Sequence, residues 1–348
     1  MDDTVQTNTI DAVKTAIKDT LSVIEQERER EIISRRFGLF DRKETLEQIG
    51  EMLGITRERV RQLEKAILIR LKIASEEGRI PSISEVERAV IRDLSENGRV
   101  GRIQDVTSRL VGAEKAPIHR AHIAFLAELS PKLTVVNEND NYHHAVGIAE
   151  YGSEKDLKKR VDDLVKLIKQ HGEPVFLDDL YAKTDYEQPS HVSGLASVSK
   201  LLATLNGYWG LTKWPTVNPK NIRDKIYVIL NENGKPMHFS EIAKAIKVSD
   251  FKRKNVTTQA IHNELIKDDR FVLIGRGIYA LDSWGYHKGT VSDIITDVLN
   301  EAGEPLHRDD IVRRVLKKRQ VKETTILLNL QSKPEFKRVA KATYAVAK

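Results

Sequence analysis

The chain has 348 residues, 40% hydrophobic and 31% charged, which supplies apolar material for folded cores and length for two or more domains. Lys and Arg number 57 against 51 Asp and Glu, a formal charge of +6 that favours a polyanionic partner. Cysteine is absent, which excludes disulfides, thiolate catalysis and Cys-based zinc modules and fits a reducing compartment. No run approaches the roughly 18 apolar residues of a membrane span. The start, Met1-Asp2-Asp3-Thr4, lacks a secretory layout. A cytoplasmic protein without membrane contact is expected.

Ile10, Val13, Ile17, Leu21 and Ile24 recur at three- and four-residue spacing and predict an amphipathic helix within residues 1–24, capped at Asn8 or Thr9. Gln26 to Leu39 predicts a second helix, with Ile32, Ile33 and Phe37 among alternating Arg and Glu, broken at Gly38. Thr45-Leu46-Glu47-Gln48 is a capping-box sequence that opens a short helix through Met52. Gly54 then suits a tight turn with positive φ, and Ile55 packs between the helices it joins. Thr56 caps the next helix, whose Val60, Leu63, Ile67 and Leu71 form a buried stripe. Arg57, Glu58, Arg59, Arg61, Gln62 and Lys65 are left exposed. This is a helix-turn-helix over 25–75, and its second helix carries in its first turns the side chains that read base edges. Arg suits guanine, Gln suits adenine and Glu accepts from cytosine. A solvated charged face is the bland alternative; the two threonine caps and the glycine turn weigh against it.

The run Arg28-Glu29-Arg30-Glu31-Ile32-Ile33 through Arg36-Phe37-Gly38-Leu39, with Thr45-Leu46-Glu47-Gln48-Ile49-Gly50 and Gly54 to Glu64, resembles region 4 of primary bacterial sigma factors over about residues 20–72. The resemblance implies that Arg57, Glu58 and Gln62 read a minus-35 promoter element, that Arg59 and Arg61 contact DNA backbone or neighbouring bases, and that the domain docks on the flap of the RNA polymerase beta subunit. Fewer than 30 residues precede this segment and none is aromatic. The clamp helices and the aromatic residues that capture melted minus-10 bases in sigma factors are therefore not expected to accompany it. A regulator carrying a sigma-like reader is expected, not a stand-alone initiation factor.

Beyond Leu71, four segments align on Gly98, Gly172, Gly234 and Gly303, at intervals of 74, 62 and 69 residues. Eight residues before each glycine stand Val90, Leu164, Ile226 and Ile295; four before stand Leu94, Ile168, Leu230 and Leu299. Seven after come Asp105, Asp179, Glu241 and Asp310, each followed by an aliphatic residue, as expected of an acid at a helix start followed by a core position. Each segment then offers another helix and a β-like pair, with Gly275-Arg276-Gly277 as a hairpin turn. The expected fold is mainly α: a helix-turn-helix followed by four tandem winged-helix-like units at 84–148, 155–216, 220–286 and 288–348. Gly234 to Ile242, Asp269 to Leu281 and Trp284-Gly285 resemble the HARE-type winged helix known from the RNA polymerase delta subunit. In the last two units Lys252, Arg253, Lys254, Thr258, Gln259, His262 and Arg276, then Lys317, Lys318 and Arg319, are secondary DNA-contact candidates.

The doublets Asp178-Asp179 and Asp309-Asp310 have the composition of a divalent-metal nuclease site, but their recurrence at one position of the repeat favours helix capping. His119, His122, His143 and His144 lack the spacing of a ligand set. No phosphate loop or nucleophile elbow is present, so neither an enzyme nor a cofactor or metal is expected. The primary expectation is a sequence-specific transcription regulator that binds double-stranded promoter DNA. The alternative is an RNA polymerase-associated or nucleoid-structuring protein without strong sequence specificity. A DNA-targeting subunit of a restriction or repair enzyme ranks third.

Overall fold

The computed structural model describes residues 3–251, 255–286, 289–319 and 321–347. They form two compact units, residues 1–213 and 214–348. Four helices open the first: α1 Asp3–Ser22, α2 Glu27–Phe37, α3 Leu46–Leu53 and α4 Arg57–Glu76. The helix start expected at Asn8 or Thr9 is corrected, because both lie inside α1. No Pro or Gly between residues 3 and 9 interrupts the run. Gly38 and Gly54 end α2 and α3 in the left-handed region, at φ 66° each.

The segments that follow share one plan of helix, short strand, two helices and a hairpin. The first comprises α5 Pro81–Asn97, β1 Val100–Arg102, α6 Ile103–Val111, α7 Ala116–Leu129, β2 Leu133–Val136 and β3 Ala145–Ile148. The second comprises α8 Glu154–His171, β4 Val175–Phe176, α9 Leu177–Tyr181, α10 Pro189–Val198, β5 Leu202–Leu205 and β6 Tyr208–Leu211. In the other compact unit the third comprises α11 Ile222–Asn233, β7 Met237–His238, α12 Phe239–Val248, α13 Thr258–Lys267, β8 Phe271–Gly275 and β9 Ile278–Leu281. The fourth comprises α14 Val291–Ala302, β10 Leu306–His307, α15 Arg308–Lys318, α16 Glu323–Ser332, β11 Phe336–Ala340 and β12 Thr343–Val346. Every sheet is antiparallel, with the last strand in the middle: β1-β3-β2, β4-β6-β5, β7-β9-β8 and β10-β12-β11. The fold is thus mainly α, a helix-turn-helix with winged-helix-like units.

The aligned columns have a physical basis. All four glycines cap the first helix of their segment at positive φ, and the aliphatic residues four and eight positions earlier are buried. Asp105, Asp179, Glu241 and Asp310 each occupy the third position of the second helix, where a negative charge meets the positive end of the helix dipole. The next residues, Val106, Leu180, Ile242 and Ile311, are fully buried. The short first strand of each sheet is an addition to the expected plan. At two or three residues, it is too short to show alternation in sequence.

In the first unit one core joins the parts. Val13, Ala16 and Ile17 of α1, Ile33 of α2 and Ile67, Leu71 and Ala74 of α4 belong to the same cluster as Val90, Val106 and Phe125. The Phe37 and Phe125 rings lie 4.7 Å apart, and His122 Nε2 donates to the Leu39 carbonyl at 2.5 Å. The second segment docks on the first through a bridge between Tyr142 and Ser199, flanked by hydrogen bonds from His143 N to Val198 O and from Lys200 N to Asn141 O, each 2.8 Å.

Burial, named first among the causes for each, pulls the imidazoles of His119, His143, His144 and His191 below their ordinary value of 6.5. The unfolded chain therefore takes up protons more readily than the folded one. This contribution to stability is complete above pH 6.5 and is lost as the pH falls through the lowered folded values. Thermal melts between about pH 7.5 and about pH 5.5 should show the first unit losing stability across that window; a flat profile would contradict the assignment.

Among the described residues, no helix is long and apolar enough to cross a membrane.

Candidate nucleic-acid interface

The reading surface is built from α3 and α4. Thr45 Oγ1 accepts from Gln48 N at 3.3 Å while Gln48 Oε1 accepts from Thr45 N at 2.9 Å, completing the capping box. Thr56 Oγ1 accepts from Arg59 N at 3.2 Å and starts α4. Ile32, Ile49 and Val60 make the small core of the motif, with Leu46, Leu53, Ile55 and Leu63 packed around it. A Cβ on Gly50 would stand 2.6 Å from the Ile55 carbonyl oxygen, so the turn closes against α3 only because residue 50 has no side chain. Arg28 donates to the Leu53 carbonyl at 2.8 Å, Arg36 pairs with Glu64 at 3.0 Å and Arg70 with Glu29 at 2.6 Å. These members of the alternating Arg/Glu run clamp α2 to the motif.

Arg57, Glu58, Arg59, Arg61, Gln62 and Lys65 are all exposed on α4, and Thr45 and Thr56 stand exposed at the two helix starts. Four of these side chains are linked. Arg61 grips Glu58 with two bonds of 2.8 and 2.6 Å, Gln62 donates to Glu58 at 3.4 Å, and Arg59 donates to Gln62 at 3.4 Å. The Arg61 hydrogen bonds hold the Glu58 carboxyl below the usual glutamate range. Such a solvent-exposed pair contributes little to stability and opens readily. Arg57 and Lys65 enter no ion pair among the described residues.

The third helices of the winged segments differ sharply in accessibility. In α7, His119, His122, Ile123, Phe125 and Leu126 are buried against the elements around them. In α10, His191, Val192, Gly194, Leu195 and Ala196 are buried, with Gly194 against β1. α10 has no exposed residue, and α7 leaves only Pro117, Ile118 and Arg120 exposed, near its start. In the third segment Gln259 and Arg276 are exposed, but Thr258 is half-buried and His262 lies between Phe239 and Tyr279, at ring distances of 4.8 and 6.1 Å. Lys252, Arg253 and Lys254 lie outside the described residues. In the fourth segment Lys317 is exposed, whereas Lys318 pairs with Glu301 at 2.6 Å and Arg319 turns inward to donate to the Gly289 carbonyl. Burial lowers the Arg319 guanidinium from its ordinary value.

One cationic surface escaped sequence reasoning. Lys337, Arg338 and Lys341 are exposed on the β11–β12 hairpin, and Lys333 just before it. Residues 288–348 hold 13 Lys and Arg against 8 Asp and Glu, so this segment carries most of the chain's excess positive charge. Charge counted per segment would have found it. The acidic doublets sit in the first turns of α9 and α15, as capping residues do. Among the described residues, no group of three His, Cys, Asp or Glu side chains is placed to hold a metal ion.

A capped, exposed second helix that presents Arg, Glu and Gln in its first turns defines a DNA-binding helix-turn-helix of transcription-related type. Residues 26–72 match the family model of sigma-70, region 4, and this segment is sigma region 4-like. Similar proteins include the RNA polymerase sigma factor SigA of a Bacillus species, 39% identical over 74 residues, covering 21% of this chain and 19% of that protein. The RNA polymerase sigma factor sigB of Arabidopsis thaliana is 52% identical over 46 residues, 13% of this chain and 8% of that one. The chain thus matches less than a fifth of the length of either relative. No solved structure matches it.

Proposed function

We propose that the protein is a sequence-specific transcription regulator whose α4 reads minus-35-type promoter DNA. The observation that carries this is the cluster of Arg57, Glu58 and Gln62, exposed on the first two turns of α4 within a sigma region 4-like segment. In this reading the Glu58–Arg61 pair opens on binding, Arg57 and Gln62 make two-point contacts with bases, and Arg59, Arg61 and Lys65 hold phosphates near the Thr45 and Thr56 helix starts. The winged segments add DNA or RNA polymerase contacts, the beta flap being the docking partner for the sigma-like domain. The third segment serves as a HARE-type module on the strength of its own residues. Tethering several modest sites on one chain raises the effective concentration of each. The protein acts inside the cell on the nucleoid and performs no catalysis.

Arg57→Ala and Gln62→Ala are each expected to lose about 1 to 3 kcal/mol of discrimination between a minus-35-like duplex and a scrambled one. Lys65→Ala should weaken both duplexes equally and flatten the salt dependence by roughly one unit of log–log slope. Fluorescence anisotropy titrations measure both. Unchanged preference in the first two variants would sink promoter reading. A second reading, a polymerase-associated or nucleoid-structuring protein without strong sequence specificity, draws support from the buried faces of α7 and α10 and from the lack of any basic residue on α16. It predicts polymerase capture with no duplex preference.

A further inference from the structure

Between the helix-turn-helix and the first winged segment lies a cavity of about 640 Å³, within the range of small-ligand sites. One wall is the stretch leading from α2 toward the α3 cap. The other is formed by the start of α6, the α7 face and the residues between β2 and β3. Arg42, Lys43, Arg102, Arg120, His143 and His144 all line it. Of the carboxylates in the lining, Glu128 is taken up by Lys72 at 2.6 Å and Glu138 by Lys200 at 2.8 Å, while Asp41 is exposed. Of the cations, Arg102 is taken up by Asp105 at 2.6 Å, whereas Arg42, Lys43 and Arg120 enter no ion pair among the described residues. The cavity therefore gathers more cationic groups than it neutralises, and a multivalent anion would relieve their mutual repulsion. Burial, then Lys43 in the case of His144 and Arg102 in the case of His143, already disfavours protonation of the imidazoles. Neutral imidazoles still donate hydrogen bonds. Phe40 and Ile118 also line the cavity and are 75% and 68% exposed; Phe40 offers a bare ring of the kind a base stacks on, and Ile118 a further apolar contact.

We propose that this cavity binds a nucleotide phosphate ester, its phosphates held by Arg42, Lys43 and Arg120 and its base resting on Phe40 and Ile118. Two sources share that chemistry: a free nucleotide, or the strand of a bound nucleic acid running past the α3 start. The second source rests on the promoter-reading proposal, because Arg42 and Lys43 stand three and two residues before the Thr45 cap of the helix-turn-helix; the first stands without it.

The test uses the full chain, the Arg42→Ala/Arg120→Ala double variant and Gln62→Ala, with circular dichroism to confirm folding and Arg120→Gln as a milder substitute should the double variant fail to fold. ATP and inorganic pyrophosphate are titrated calorimetrically without added metal, and duplexes cut at the minus-35-like element or extended about one helical turn either side are titrated in parallel. For a free nucleotide, ATP binds one to one, the double variant weakens it about tenfold or more, and Gln62→Ala leaves it unchanged. For a bound strand, ATP does not bind, and the double variant weakens only the extended duplexes, whatever their sequence, with a salt slope shallower by roughly two. If neither ATP nor the extended duplexes respond to the double variant, the site is refuted. Sequence preference is read separately from Gln62→Ala, so failure of promoter reading leaves the ATP titration intact as a test.

Discussion

Phe125→Ala is expected to destabilise the unit spanning residues 1–213 by about 3 to 5 kcal/mol, the range for truncating a buried phenylalanine. Its ring is fully buried in the middle of α7, at the point where the reading motif and the first winged segment share a core. It lies 4.7 Å from the Phe37 ring of α2, while Ile33, Ile67 and Leu71 belong to the same cluster. Removing it opens a cavity lined from both sides, which neither helix can close without giving up its other contacts. The first unit's melting temperature should fall by roughly 6 to 20 °C, by the scaling for a unit of this size. Hydrogen exchange should show faster opening of α2 and α7 together. A loss below about 1 kcal/mol would mean that the motif is tethered and not docked.

Gly98→Ala carries the second largest expected effect, and the repeat supplies its own controls. At the equivalent positions Gly172, Gly234 and Gly303, an added Cβ meets nothing within 4 Å, so substitution brings only the strain of a positive φ, about 1 to 2 kcal/mol. At Gly98, φ is 114° and the Cβ would stand 2.1 Å from the Ser190 carbonyl oxygen and 2.8 Å from its carbon, both backbone atoms of α10. Gly194 answers from the other side, its Cβ position 2.6 Å from the Val100 carbonyl oxygen. The two segments approach backbone to backbone, and no side-chain rotation relieves the clash. Gly98→Ala should therefore cost more than Gly234→Ala by about 1 to 3 kcal/mol, as overpacking does, with Gly194→Ala behaving like it. Equal losses at Gly98 and Gly234 in chemical denaturation would disprove the close approach.

The parts legible in sequence are those governed by local rules. The two threonine caps, the glycine turn, the α4 stripe and the third-position acids each depend on neighbours within a helical turn, so their residues announce them. Long-range packing was not legible. Nothing local in Pro189 to Val198 says that its small residues admit a neighbouring backbone, and the nearly continuous apolar run of α7 reads equally as a groove-reading helix or a buried one. The inward turn of Arg319 and the Lys318–Glu301 pair arise from residues 30 and 17 positions away, so a basic run that looked free is partly structural. The exposed charges of the β11–β12 hairpin were hidden for the opposite reason. Set between Phe336 and Tyr344, they read first as part of a hairpin, and only the sheet order leaves β11 at an edge.

Selection of duplexes from a random pool by the 348-residue chain at physiological salt bears most directly on the reading by α4. Enrichment of one minus-35-like element by the wild-type chain is predicted, with relaxed selection in Gln62→Ala at the base pair this side chain contacts. A pool that stays unenriched, or the same element selected equally well by Gln62→Ala, would contradict it.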